Sequence, residues 1–194
     1  MTPEQEQEYI QQAQKEPRAF VHLYDHYFPR IHAYVRYRVH SPQDAEDLIA
    51  NVFFKAIHKL KRFKWRNEGS FAAWLFRIAH NLIVDYYRQQ DRVALSVESR
   101  DGLIEFTSHT PLPEQVLTQQ ETFQQIRALV ATLSPRRQEI ITLKFFGGLR
   151  NYEIAQILGL DERTIAAHLS RGLQDLQRRY AAQVPSEAIV EQVV

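Results

Sequence analysis

Cations and rings crowd one short interval of the chain. Lys55, Lys59, Lys61, Arg62, Lys64 and Arg66 lie together, Phe63 and Trp65 are interleaved with them, and Trp74 follows nearby. Cations that track a phosphate backbone beside rings that accept bases are what binding of single-stranded nucleic acid requires. Asn81, one turn beyond Arg77, adds a carboxamide able to hydrogen-bond a base edge. The plainer use of the same residues puts the rings in a core, the cations on a solvated face, and Asn81 as a satisfied polar residue at a helix boundary. For Trp74, whose apolar neighbours recur at helical spacing, the core reading is favoured. For Trp65, set among charges, the nucleic-acid reading is favoured.

A second candidate is "GLDERTIAAHLSRGL", residues 159–173. Gly159 permits a turn and Ala155, four residues earlier, permits close approach of two helices. Ile154, Leu158, Leu160, Ile165 and Leu169 fit the wedge between those helices, and Asp161 stands where an N-cap belongs. The second helix would then present Arg163, Thr164, Ala167, His168 and Arg171 away from its core, in the manner of a helix-turn-helix reading duplex DNA. Alanine can meet a thymine methyl, threonine a phosphate or base edge, and arginine a phosphate or guanine. So lightly armed a helix needs another source of affinity. A purely structural helical hairpin is the rival.

A third constellation, His22-Leu-Tyr-Asp-His26, places two imidazoles on one helix face, the geometry of a metal nuclease site, but it lacks the glutamate of the zinc-protease pattern. Partly buried or exposed histidines are the favoured reading, with no metal and no cofactor.

The elements that must position these residues read as helices throughout. From Asp44 to Leu60, apolar residues fall at 45, 48, 49, 52, 53, 56, 57 and 60, a wide stripe at helical spacing. Ser41 and Pro42 suit its start. A second long helix is expected from Phe71 to Arg88, N-capped by Ser70, with Phe71, Trp74, Leu75, Ile78, Leu82 and Tyr86 facing inward. The basic, aromatic "KRFKWRNEGS" between them is a loop. Residues 18–39 form one helix or two, with Pro29 at a break or kink. Helical spacing resumes from Gln115 to Leu133, stops at Ser134-Pro135, and restarts through Ile140, Ile141 and Leu143 to Gly147-Gly148. A short helix from Tyr152 to Leu158 precedes the turn. The expected fold is all-α: one helical domain over 1–92, a linker over 93–117 containing Gly102, Pro111 and Pro113, a second helical domain over 118–181, and an unassigned tail over 182–194.

Charge is segregated along this layout. Residues 18–92 carry 13 Lys/Arg against 7 Asp/Glu and residues 118–181 carry 9 against 6, while the start, the linker and the tail are acidic. Two basic blocks on an acidic strap fit a polyanion touched at two places. The absence of cysteine rules out disulfides and Cys-based zinc sites and suits a reducing cytoplasm. Neither a signal peptide nor a long apolar run is present, so no export and no membrane insertion are expected.

Two long strings carry a family resemblance. "SPQDAEDLIANVFFKAIHKLKRFKWRNEGSFAAWLFRIAHNLIVDYYRQ" resembles region two of the bacterial sigma-70 family, and "LSPRRQEIITLKFFGGLRNYEIAQILGLDERTIAAHLSRGLQDLQRRY" resembles region four. With only these regions and a short linker, the chain is similar to the extracytoplasmic-function (group four) sigma factors. The resemblance implies a non-catalytic initiation factor that binds core RNA polymerase, directs it to promoters and assists melting. It implies that Asp44, Asp47, Leu48, Asn51 and Phe53 dock on the polymerase largest subunit. Lys55, Phe63, Lys64, Trp65, Arg66 and Asn81 would engage the melted minus-ten element, Asn81 holding a flipped base. Lys144, Arg163, Thr164, Ala167, His168, Ser170 and Arg171 would face the minus-thirty-five element. Residues around Leu133, Ile140 and Leu143 would meet the polymerase flap, the linker would thread toward the active-site cleft, and an anti-sigma factor would be a further partner.

The chain departs from the family in two places. Ala50 and Asn51 stand where Gln and an acidic residue are usual. Ile165-Ala166-Ala167-His168 replaces a common Val-Lys-Ser-Arg, so one cation is lost and another depends on pH. An operator-binding regulator would use the helix-turn-helix but leave the "DAEDL" helix and the aromatic loop without a purpose.

Overall fold

The computed structural model describes residues 1–97 and 114–183, which hold eight α-helices and no strand. None of these helices is long and apolar enough to cross a membrane. Most of the expected linker over 93–117 and of the tail over 182–194 lies outside the described residues. The described residues divide into two compact bodies. One comprises helices α1–α4 with the stretch Thr142–Glu162; the other comprises α5, the start of α6 up to Ile141, and α8 from Arg163.

Helix α1, Pro3–Lys15, lies in the acidic start that the sequence reading left without an element. Its signal is Thr-Pro-Glu-Gln: the Thr2 hydroxyl accepts from the Gln5 amide, the Gln5 side chain accepts from the Thr2 amide, and Pro3 occupies the first turn. Glu6, Ile10 and Ala13 form its buried stripe. A 3-10 turn, Pro17–Phe20, leads into α2, Val21–Arg38, which passes through Pro29 without a break. Leu23, Tyr27, Ile31, Tyr34 and Val35 bury the face that spans the proline, and this packing outweighs the loss of one backbone hydrogen bond.

Helix α3, Pro42–Leu60, starts at Ser41, whose hydroxyl accepts from the Asp44 amide at 3.2 Å. Its core face is Ala45, Leu48, Ile49, Val52, Phe53, Ala56 and Leu60; Ile57, expected in the stripe, is 40 % exposed. Helix α4, Ser70–Val97, outruns the expected boundary at Arg88. Ser70 is its first residue and not a cap bonding forward, because its hydroxyl accepts from the amides of Arg66 and Asn67 behind it. The buried line of α4 is Phe71, Ala72, Ala73, Leu75, Phe76, Ile78, Ala79 and Ile83. Trp74, Leu82 and Tyr86, expected inside, are only half-buried.

The first body also takes in the end of α6 (Pro135–Phe145) and all of α7, Asn151–Leu158. What holds this stretch to the first body is polar as well as apolar. Arg30 donates from Nε to the Gly147 carbonyl at 2.9 Å and from a terminal nitrogen to the Gly148 carbonyl at 3.1 Å, while its guanidinium lies over the Tyr27 and Phe76 rings. Tyr37 stacks on Phe146 with centroids 4.1 Å apart. Leu149, Ile154 and Ile157 are buried beside them. Gly159 closes α7 in the left-handed region, φ 66°, as its place in the turn requires.

In the second body, α5 (Glu114–Ala131) ends where Gln138 donates to the carbonyls of Ala131 and Leu133, satisfying acceptors that the helix end leaves open. Helix α8, Glu162–Gln183, places Gly172 where a Cβ would lie 2.8 Å from the Ile141 side chain. Arg137 and Asp175 form a half-buried ion pair, and Arg178 joins Asp175 at 2.6 Å.

Phe76 is fully buried, with Tyr34 at 5.6 Å and Arg30 over its ring. Phe76→Ala should lower unfolding stability by about 3–5 kcal/mol, read as a shift in urea midpoint at unchanged slope. A loss below 1 kcal/mol would show that the site collapses freely.

Candidate nucleic-acid interface

Between the end of α3 and the start of α4, exposure alternates from one side chain to the next. Arg62, Lys64 and Arg66 are exposed while Phe63 and Trp65 are half-buried, as a period of two demands. The exposed cations border a cavity of about 340 Å³ that is also lined by Phe63, Trp74 and Arg77. Phe63 packs on Trp74 at 4.9 Å and edge-on to Phe71 at 5.4 Å. Four cations around two rings, in a groove open to solvent, can hold a phosphate chain and stack its bases.

Both tryptophans are half-buried. Trp74 lines the groove. The Trp65 indole instead donates to the Glu6 carboxylate at 3.3 Å, which ties it to α1. Lys55 and Asn81 are exposed on α3 and α4. Ser70, where the loop meets α4, lines the groove, and so does Arg77, which the sequence marks only as Asn81's neighbour. Helix α7 forms part of one wall: Gln156 lines the same cavity and its carbonyl accepts from Arg77. Arg150 pairs with Glu68, and the Tyr152 hydroxyl donates to the Glu68 carbonyl at 3.1 Å.

On α3, Asp47 and Asn51 are exposed and Asp44 is half-buried. The Asp44 carboxylate accepts from Tyr86 at 2.8 Å, and burial together with this bond pushes the Tyr86 phenol up to about 12. Tyr86 therefore stays a donor across the physiological range. Leu48 and Phe53 do not join this outer face, because their side chains turn into the core at 8 % and 4 % exposure. The large apolar residue that does reach the outer face is Phe54, 60 % exposed, its ring tilted against His58. Its position seven residues after Asp47 and three after Asn51 was the available signal.

On α8, Arg163, Ala167, Ser170 and Arg171 are exposed, and Thr164 and His168 are half-buried. His168 Nδ1 is buried without a hydrogen-bond partner. Lys144 is half-buried on α6, whereas Leu133, Ile140 and Leu143 are core residues. His22 stacks on Tyr9 and His26 meets the edge of Tyr27. Burial, then the N-terminal amine and Arg30, push the His26 imidazole below its ordinary value. No group of three or more metal-binding side chains occurs among the described residues.

Comparison with known proteins places both halves. Sigma-70 region 2 matches residues 23–93 and Sigma-70 region 4 matches residues 123–176. The chain is 31 % identical to the ECF RNA polymerase sigma factor BldN of Streptomyces coelicolor over 88 % of its own length and 64 % of that protein's, so it spans just under two thirds of this relative. It is 29 % identical to the RNA polymerase sigma factor YlaC of Bacillus subtilis, over 86 % of this chain and 95 % of the other. Among solved structures, the sigma factor RpoE of Bartonella quintana, crystallised with the anti-sigma factor NepR, matches with a TM-score of 0.62 at 25 % identity, over 85 % of this chain and 98 % of that one.

On α7, Glu153 is 5 % exposed and its carboxylate accepts from the Arg150 amide. Burial raises its pKa, outweighing the Arg150 amide bond and the Arg30 and Arg150 charges, with Glu6 adding to the rise. A carboxyl held above its ordinary 4.5 binds its proton more tightly in the folded state, so its contribution to stability falls as pH rises through and beyond that value. Glu153→Gln should therefore match the parent in thermal midpoint below this range and exceed it increasingly toward neutrality. A gap independent of pH would overturn the assignment.

Proposed function

Because the chain belongs to the bacterial sigma-70 family, in its extracytoplasmic-function branch, we propose that it binds core RNA polymerase, directs it to specific promoters and assists strand opening. The observation that carries this reading is the groove of Arg62, Lys64, Arg66 and Arg77 around Phe63 and Trp74, which lies inside the segment matched by region 2. In this reading residues 1–92 bind polymerase and the minus-ten element, 93–117 link, and 118–181 meet the minus-thirty-five element.

The protein acts by binding and not by catalysis. Asp44, Asp47 and Asn51, joined by Phe54, offer polymerase a surface in which acidic and amide groups surround one exposed ring. Lys55 and the loop cations neutralise phosphates of the melted strand, the groove rings accept its bases, and Asn81 holds an extruded base. The energy of such contacts offsets the unstacking that extrusion costs. Arg163, Thr164, Ala167, Ser170 and Arg171 contact duplex DNA more weakly, since Ala166 and Ala167 bring no charge to meet a phosphate. Polymerase makes that weak grip sufficient by holding both DNA contacts on one assembly. An anti-sigma factor is the expected regulator, supported by the RpoE–NepR likeness. The absence of cysteine suits a cytoplasmic protein.

The decisive experiment mixes the purified chain with bacterial core polymerase and maps transcription starts. Co-elution with a defined set of start sites is expected; failure to associate, or association without start-site selection, sinks the reading. Asn81→Ala should impair open-complex formation, read by permanganate reactivity of unpaired thymines, while polymerase association persists. Loss of that association would instead make Asn81 structural. His168→Arg should tighten binding to minus-thirty-five duplex and steepen the log–log salt slope by roughly one; an unchanged slope counts against a phosphate-facing position.

A further inference from the structure

Helix α1 lies outside the segment that region 2 matches, which begins at residue 23, yet it grips the strand-binding loop from behind. Gln14 donates from one amide nitrogen to two carbonyls, that of Leu60 at 3.0 Å and that of Phe63 at 2.7 Å. Leu60 is the last residue of α3, and its carbonyl also accepts from the Phe63 amide at 2.9 Å, so Gln14 adds a second donor to the turn that starts the loop. Two turns earlier on α1, Glu6 is 5 % exposed and uses both oxygens: one accepts from the Tyr27 hydroxyl, the other from the Trp65 indole at 3.3 Å. The helix therefore takes hold of the odd-numbered loop residues, Phe63 by its carbonyl and Trp65 by its ring. The even-numbered residues, Arg62, Lys64 and Arg66, are left exposed along the groove.

We infer that α1 is a positioning element for the strand-binding groove, with Gln14 and Glu6 as the residues that hold the cation-bearing loop in its binding conformation. The proposal rests on the reading that this groove takes single-stranded DNA. A free loop of this length would have to be ordered at each encounter with a strand, and that ordering opposes binding. Two polar side chains, Glu6 buried and Gln14 half-buried, from a helix already fixed by its own core residues, Ile10 and Ala13, remove that cost in advance. Neither Gln14 nor Glu6 borders the groove itself, so their influence passes through the loop.

The test uses the full chain assembled with core polymerase and a fluorescent, mixed-sequence single-stranded DNA, with core alone and a duplex of the same sequence as controls. Gln14→Met keeps the length of the side chain and removes the donor, whereas Gln14→Lys restores a donor. Gln14→Met should weaken single-strand affinity about tenfold and leave duplex affinity and polymerase association unchanged, and Gln14→Lys should recover most of the loss. Glu6→Gln, which can still accept from Tyr27, should change the emission of Trp65 in a Trp74→Phe background and weaken strand binding in the same direction. Wild-type affinity in Gln14→Met overturns the inference, as does equal weakening in Gln14→Met and Gln14→Lys. If the wild-type assembly binds the strand no better than core alone, it is the groove's assignment that fails.

Discussion

Burial of the Phe71 ring is the constraint on which the candidate interface depends. Phe71 is wholly removed from solvent, and its ring meets Tyr27 of α2, Phe63 of the loop and Trp74 one turn along α4. Hiding such a ring contributes about 1.5–3 kcal/mol, and each well-set aromatic pair adds about 0.5–1.5 kcal/mol. One ring is shared among three elements, so none of them can shift alone without opening a gap in a close-packed interior. The groove rings are thus the exposed end of a core cluster. On its far side the same cluster ends at the Tyr27 hydroxyl, which donates to Glu6 of α1, the residue that also holds Trp65 of the loop.

Helix α3 carries two jobs on opposite faces. Its inner stripe supplies much of the first body's core, and its outer face leaves Asp47, Ala50, Asn51 and Phe54 in water. An exposed phenyl ring among acidic and amide groups gains nothing in the isolated chain. It makes sense as the centre of a surface to be covered, ringed by groups that hydrogen-bond at the rim. The same helix runs directly into the cationic loop, so whatever holds its outer face also fixes the place from which the loop starts.

The stretch Thr142–Glu162 joins the first body through polar satisfaction as much as through apolar contact. Two adjacent glycine carbonyls, at 147 and 148, are bare acceptors that one guanidinium answers, and Arg30 is held in place by lying over two aromatic faces. Glu153, buried close by, carries the electrostatic cost of the arrangement. Because Gln156 borders the groove and Arg77 donates to its carbonyl, part of a distant segment serves as groove wall.

Local rules were enough for what is periodic. The stripe of α3, the N-cap at Ser41, the turn at Gly159 and the breaks at Ser134-Pro135 and Gly147-Gly148 are short-range features, decided by helical period and backbone stereochemistry within a few residues. The pattern of cations and rings after Leu60 was also legible, since charge and aromaticity are properties of the residues themselves. Helix α1 could have been read from Thr2 and Gln5 but has little apolar signal of its own. Tertiary structure alone decided that Trp74 and not Trp65 lines the groove, that Phe54 and not Phe53 reaches the outer face, and that Pro29 leaves α2 unbroken. Each of those outcomes turns on a partner far away in the chain: Glu6 for Trp65, the aromatic cluster of α2 for Phe53, and the packed core around α2 for Pro29. The order of residues specifies what each side chain can do, but which one is spent inside and which is left to meet a partner depends on contacts that exist only once the helices have packed.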